Sequence, residues 1–254
     1  MCTVIVLRRK GHSWPILLAA NRDEMAGRPW RPPARHWPDR AEAVGGLDEV
    51  SGGSWLGVND HGVAALVLNR EGTLGPAVGK RTRGELVLEA LDHADAATAA
   101  EALADINPMA YRPFNLVIVD DRDAFCLYHR CRLGREPVVV TPVPEGLSMI
   151  TAFDRDDVAD PRIRGGRPRF LAAAVPEPDL GDWAAWQEVL ASREPNCSAD
   201  APSALCFSTP SGFGTMSSAL IALPSRSVAS RRNVVWLFAD GPPDQAEWRP
   251  VDLG

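Results

Sequence analysis

The sequence predicts an α+β fold in a single domain spanning 1–254. Three observations carry that expectation: a series of short β-like runs closed by turn residues, two segments with helix-start signals, and no compositional break along the 254 residues. Runs at 2–7, 16–20, 55–58, 63–68, 114–119, 124–128 and 138–141 are rich in Val, Ile, Leu and aromatic residues. Lys10-Gly11-His12, Asn59-Asp60-His61-Gly62 and Asp120-Asp121-Arg122-Asp123 separate successive members. Gaps of about 2–8 residues suit antiparallel hairpins, since parallel strands need longer crossovers. Later runs at 147–150, 219–223 and 234–238 continue the pattern.

Two helices are expected. Thr82-Arg83-Gly84-Glu85 has the spacing of a capping box, and a helix from there to about Asp105 would align Leu86, Ala90, Leu91, Ala94 and Leu103. A second begins near Asp182, an N-cap candidate, with Trp183, Trp186 and Leu190 as a core stripe. Proline-rich stretches at 29–38, 195–202 and 242–250 read as connecting or terminal loops.

The formal net charge of −6, with no long basic run, points away from nucleic-acid binding, which runs on accumulated positive charge. No apolar run approaches the ~20 residues of a membrane helix, and the first ten residues lack the layout of a secretory signal. Cysteines at 2, 126, 131, 197 and 206 form no disulfide ladder, so a cytoplasmic location is expected. The Cys126–His129–Cys131 group has no second pair to complete a zinc site, the Asp154–Asp160 acidic group lacks the EF-hand spacing and reads as a solvated loop, and no metal is expected.

The chemistry-bearing residues start at Cys2. Removal of Met1 ahead of a small side chain would leave a thiol and an α-amine on one residue. An α-amine with an unperturbed pKa of about 7.7–8.0 accepts protons near neutrality, and a thiol near 8.5 is already a competent nucleophile. Asn21-Arg22-Asp23-Glu24 follows the second run, and a hairpin between 2–7 and 16–20 returns this polar cluster to Cys2. A carboxylate there would orient the amine, and a guanidinium would hold an anionic group or lower the thiol pKa. The segment from Trp55 to Gly62 and the strand ending at Asn69-Arg70 add an Asn placed to donate to an oxyanion.

MCTVIV at the start, ANRDE at 20–24, GGSWLGVNDHGV at 52–63, VLNR at 67–70, FNLVIVD at 114–120, DPRIRGGRPRF at 160–170 and FGTMSSALIAL at 213–223 resemble the NRDE-motif family, also called transport and Golgi organisation proteins. The opening is also similar to the choloylglycine hydrolase and penicillin V acylase group. The resemblance implies an N-terminal-nucleophile hydrolase-like αββα sandwich of two antiparallel sheets flanked by helices. It implies Cys2 as nucleophile, Asp23 as the amine-orienting carboxylate and Asn69 as oxyanion donor, with Asn21, Arg22, Trp55 and Met216 lining the substrate. The chain departs from that pattern at 149–154, where the hydrolases carry a further Asn, and at Met216, where many relatives carry Arg. The expected activity is hydrolysis or acyl transfer at a linear amide, thioester or ester of a small acyl compound, without a cofactor. The alternative is a non-catalytic haem or lipid/acyl-CoA carrier on the same fold, with Cys2 or Met216 as axial haem ligand.

Overall fold

A computed structural model of the chain describes residues 2–130, 136–195, 203–227 and 233–254. Cys131 and Cys197 lie outside them. The elements in chain order are β1 (Thr3–Arg8), β2 (Ile16–Met25), β3 (Trp30–Ala34), β4 (Ala43–Asp48), β5 (Leu56–Asn59), β6 (Ala64–Asn69), α1 (Gly84–Leu91), α2 (Ala96–Ala104), β7 (Phe114–Val119), β8 (Ala124–His129), β9 (Val139–Pro142), β10 (Gly146–Ile150), α3 (Pro161–Ala172), α4 (Ala184–Ala191), β11 (Phe213–Leu223), β12 (Val235–Ala239) and β13 (Trp248–Pro250). They group into two compact units, Met1–Arg28 with Glu145–Val251, and Pro29–Pro144 with Asp252–Gly254.

The first unit holds a six-stranded sheet ordered β10-β1-β2-β11-β12-β13, antiparallel throughout. The expected hairpin is present: Thr3 pairs with Asn21 and Arg8 with Ile16. Alternation along β1, β2, β10 and β11 turns Ile5, Leu7, Leu17, Ala19, Met149, Leu220 and Ala222 to one face. There they meet Ile163 and Phe170 of α3, and Trp186, Val189 and Leu190 of α4 with the preceding Trp183. The Trp186 ring stands edge-on to Phe170 at 5.5 Å. The Trp183, Trp186 and Leu190 stripe is therefore core, as the spacing implied.

The second unit holds a seven-stranded antiparallel meander in simple chain order, β3 to β9. Its helix-facing side is apolar: Ala65, Phe114, Leu116, Ile118 and Leu127 pack against Leu86, Val87, Ala90 and Leu91 of α1 and Ala99, Ala100 and Leu103 of α2. The Leu, Val, Ile and Phe side chains among them contribute about 1.5–3 kcal/mol each when fully buried. Gly53 and Gly84 allow α1 to start against the β4–β5 connection, because a Cβ on Gly53 would lie 2.5 Å from the Gly84 carbonyl carbon.

Several expectations are corrected. The single helix from 82 to about 105 is two helices, and Ala94 is exposed between them. Asp95 restarts the chain as N-cap of α2, its carboxylate accepting from the Thr98 amide. No capping box forms at α1: the Thr82 hydroxyl accepts from the Gly84 amide, and Glu85 pairs with Arg81 at 2.6 Å instead of reaching back. The proline-rich stretches at 29–38 and 242–250 contain β3 and β13. Both are edge strands, where a residue without an amide hydrogen removes no ladder bond. A helix, α3, occupies 161–172 where none was expected, and Asp160, read as part of a solvated loop, is its buried N-cap.

Candidate active site

The polar cluster Asn21 to Glu24 is not a turn after the second strand; it is the second half of β2. β11 makes this so by supplying a partner through Glu24, from Gly214↔Glu24 to Ala222↔Leu17, with a bulge between Thr215 and Ser217. Three of the four polar side chains are thereby buried: Asn21 at 1%, Arg22 at 6% and Asp23 at 2% exposure. Buried polar groups require partners, and each partner found here defines part of the site.

Cys2 sits just ahead of β1, partly buried, with its Sγ 3.4 Å from the Asp23 amide nitrogen and 3.7 Å from the Asp23 carbonyl oxygen. The amide donates to sulfur, and the protonated thiol donates to the carbonyl. Burial, and next the Asp23 carboxylate, push the thiol above its ordinary pKa, while the Asp23 amide and the Arg22 charge pull it down. The thiol is therefore mostly protonated at neutral pH and needs a base to act as a nucleophile.

The Asp23 carboxylate is held on both oxygens. Arg162 Nη1 donates to Oδ2 at 2.6 Å and the Thr215 hydroxyl donates to Oδ1 at 2.8 Å. Neither charge of the Asp23–Arg162 pair is exposed beyond 1%. Breaking such a pair by removing one partner costs far more than an exposed pair is worth. Arg162 is placed by the start of α3: Asp160 accepts from the Arg162 amide, and its other oxygen takes the Thr151 hydroxyl. The guanidinium lies 4.7 Å above the Phe207 ring and 3.4 Å from the Thr3 hydroxyl. Gly214 lets the 205–208 segment close on β11, since a Cβ there would meet the Phe207 carbonyl oxygen at 2.5 Å. Sequence reasoning missed Arg162, Thr215 and Thr3. Asp160-Pro161, an N-cap followed by Pro at the first helical position, was the local signal for α3 and hence for Arg162.

Asn21 is fully used in structure. Its amide donates to the Leu190 and Leu205 carbonyls at 3.0 and 2.9 Å, and its oxygen accepts from Ser218 at 2.5 Å. It ties the end of α4 and the 205 segment to β2. Met216 occupies the β11 bulge beside Asp23 and is half-buried. Thr151 and Ala152, in the segment where the resemblance implied a further Asn, are buried. The first unit thus brings together Cys2, Asn21, Arg22, Asp23 and Met216.

Asn69 and Trp55 belong to the second unit. Asn69 ends β6 opposite Phe114, in phase with Ala65 and Val67, which face α1 and α2. Trp55 stands edge-on to Trp30 at 5.5 Å and lies against Gly46, where any Cβ would strike the ring at 2.2 Å. Asn59, in the same motif, is structural: it donates to the Leu91 and His93 carbonyls and accepts from the Val63 amide. Among the described residues, no group of three His, Cys, Asp or Glu is placed to hold a metal ion. No helix among them is long and apolar enough to cross a membrane.

The profile of the Transport and Golgi organisation 2 family matches residues 1–155, more than half of the chain. The chain belongs to that family. The match spans the Cys2 and Asn21–Glu24 segments and stops short of Arg162 and Thr215, the two side chains that hold the Asp23 carboxylate. A comparison with curated proteins finds no match. Solved structures extend the likeness to more than nine-tenths of the chain. A Caenorhabditis elegans ortholog of N-acylethanolamine-hydrolyzing acid amidase has a TM-score of 0.57 at 14% identity, covering 92% of this chain and 98% of that one. Penicillin V acylase from Agrobacterium tumefaciens has a TM-score of 0.56 at 15% identity, covering 94% and 83%. A mutant conjugated bile acid hydrolase from Clostridium perfringens has a TM-score of 0.51 at 12% identity, covering 99% and 97%. At these identities the likeness establishes the fold. The α+β class with two antiparallel sheets, the N-terminal-nucleophile hydrolase type expected from the motifs, is what the family member adopts.

Proposed function

We propose that the protein is an N-terminal-cysteine hydrolase or acyltransferase acting on a linear amide, thioester or ester of a small acyl compound. The observation that carries this reading is the placement of the Cys2 sulfur against the Asp23 backbone while the Asp23 carboxylate is pinned by Arg162 and Thr215. A thiol held in its protonated form needs a nearby base, and removal of Met1 would place one, the α-amine, on the same residue. Cys2 then attacks the acyl carbonyl as its proton passes to the amine. The amine returns the proton to the departing nitrogen, sulfur or oxygen, and water or an acceptor takes the acyl group from sulfur. Asp23, fixed on both oxygens, orients the protonated amine. The structural relatives supply analogy, being by their descriptions an amidase, an acylase and a bile acid hydrolase.

Asn69 enters as an oxyanion donor on the strength of its motif alone, and Trp55 and Met216 as substrate-lining groups on the same footing. Haem or acyl-CoA carriage without catalysis has no observation of its own behind it and forms the second arm of the test. That test is turnover of an amide and thioester panel by wild type and variants, with haemin titration in parallel. Wild type turns over at least one class, Cys2→Ala turns over none, and Asn69→Ala falls by up to about 10²–10³ while remaining measurable. Full activity in Cys2→Ala, or an inert wild type that binds haemin with a Soret shift, overturns the reading.

A further inference from the structure

Cys2, Arg22 and Ser217 lie in a row across three neighbouring strands. Thr3 pairs with Asn21, which puts Cys2 opposite Arg22, and Arg22 pairs in turn with Ser217. Paired residues in antiparallel strands point to the same face. Asn21, Asp23, Thr215 and Ser218 take the face under α3 and α4, as their hydrogen bonds to Leu190, Leu205 and Arg162 show. The row therefore presents Arg22 and Ser217 on the opposite face. Ser217 is 1% exposed, and its hydroxyl makes no hydrogen bond to any described residue. A buried hydroxyl without a partner is destabilising unless a ligand supplies one. Arg22, 6% exposed, brings a positive charge to the same row. On the other face the Asp23 charge is already neutralised by Arg162.

We infer that Arg22 and Ser217 form an anion-recognition point beside Cys2, so that the compound acylating Cys2 carries a carboxylate close to its reacting carbon. This deepens the function proposed above and rests on Cys2 being the reacting thiol. A guanidinium with an adjacent hydroxyl suits a carboxylate, donating to both oxygens, and a buried charge-assisted contact is among the stronger hydrogen bonds.

The test uses alkylation, which needs a thiol but neither acyl turnover nor a processed N-terminus. Sulfur displaces iodide from iodoacetate or iodoacetamide, and the thiol proton goes to solvent. The rate ratio, iodoacetate over iodoacetamide, is measured at Cys2 by peptide mass mapping and compared with a cysteine in a short peptide. The inference expects a ratio about tenfold or more above the peptide's, corresponding to about 1.4 kcal/mol of selective attraction. Arg22→Gln should return the ratio to the peptide value, and Ser217→Ala should reduce it several-fold while removing only one oxygen. A wild-type ratio equal to the peptide's overturns the inference, as does a raised ratio that survives Arg22→Gln. Should Arg22→Gln not fold, a ratio unchanged in Ser217→Ala overturns it alone. Loss of acyl turnover with the ratio intact would instead count against the proposed function.

Discussion

The two units each set a pair of helices on an antiparallel sheet, and they bury different chemistry beneath them. Under α1 and α2 the contact is mainly Leu, Ala, Val, Ile and Phe, with the buried Asn59 amide closing the end of α1. Under α3 and α4 the apolar contact of Leu17, Ala19, Leu220 and Trp186 gives way, two residues further along β2, to Asn21, Asp23, Thr215, Ser218 and Arg162. Polar groups in that position are expensive, because each must recover in the protein the hydrogen bonds it loses in water. In the second unit the buried Asn59 is spent on backbone carbonyls at the end of α1, whereas the first unit buries the charged pair Asp23–Arg162. The polar end of the first unit is therefore best explained by what it positions, the Cys2 sulfur beside Asp23.

The contrast is broken most forcefully at Asp23. Asp23→Asn leaves Arg162 buried without its counter-charge, and loss of one partner from such a pair is expected to cost about 3–5 kcal/mol, read by denaturant unfolding. The same variant removes the negative charge that helps raise the Cys2 thiol. With the like charge gone the thiolate forms more readily, so the pH profile of alkylation at Cys2 should move to lower pH. An unmoved profile would show that Asp23 does not act on the sulfur.

The second unit provides the control. Leu86→Ala removes a fully buried side chain from the apolar helix contact and should cost about 2–5 kcal/mol through the cavity it leaves. Its cost is packing alone, so the rate and pH profile of Cys2 alkylation in the folded protein should stay at wild-type values. A shifted profile in Leu86→Ala would remove the distinction between the two helix layers.

Much of this was legible in the sequence where structure is local. The runs at 2–7 and 16–20 were read as a hairpin because their turn is short, and the structure extends them by a few residues. What failed was non-local. Asn21-Arg22-Asp23-Glu24 reads as a turn until β11, some 190 residues later in the chain, supplies the ladder that keeps it extended. Helix α3 was hidden by its Arg, Gly and Pro content; burial of Ile163 and Phe170 and the Asp160 cap hold it despite weak propensity. With α3 went Arg162, whose role is visible only once its helix is seen. The break between α1 and α2 was readable at Asp95, a cap residue mid-pattern. Cys2 and Asp23 came from motif order and are adjacent in the structure. Asn69 and Trp55 came from the same reasoning and belong to the second unit.

The central claim is that Cys2, freed of Met1, is the residue that becomes acylated. Intact mass and peptide mapping after treatment with a small acyl thioester address it most directly. The account predicts a mature chain beginning at Cys2 that gains one acyl group, mapped to that residue and absent from Cys2→Ala. A mature chain that retains Met1, or an acyl group mapped only to another cysteine, would contradict it.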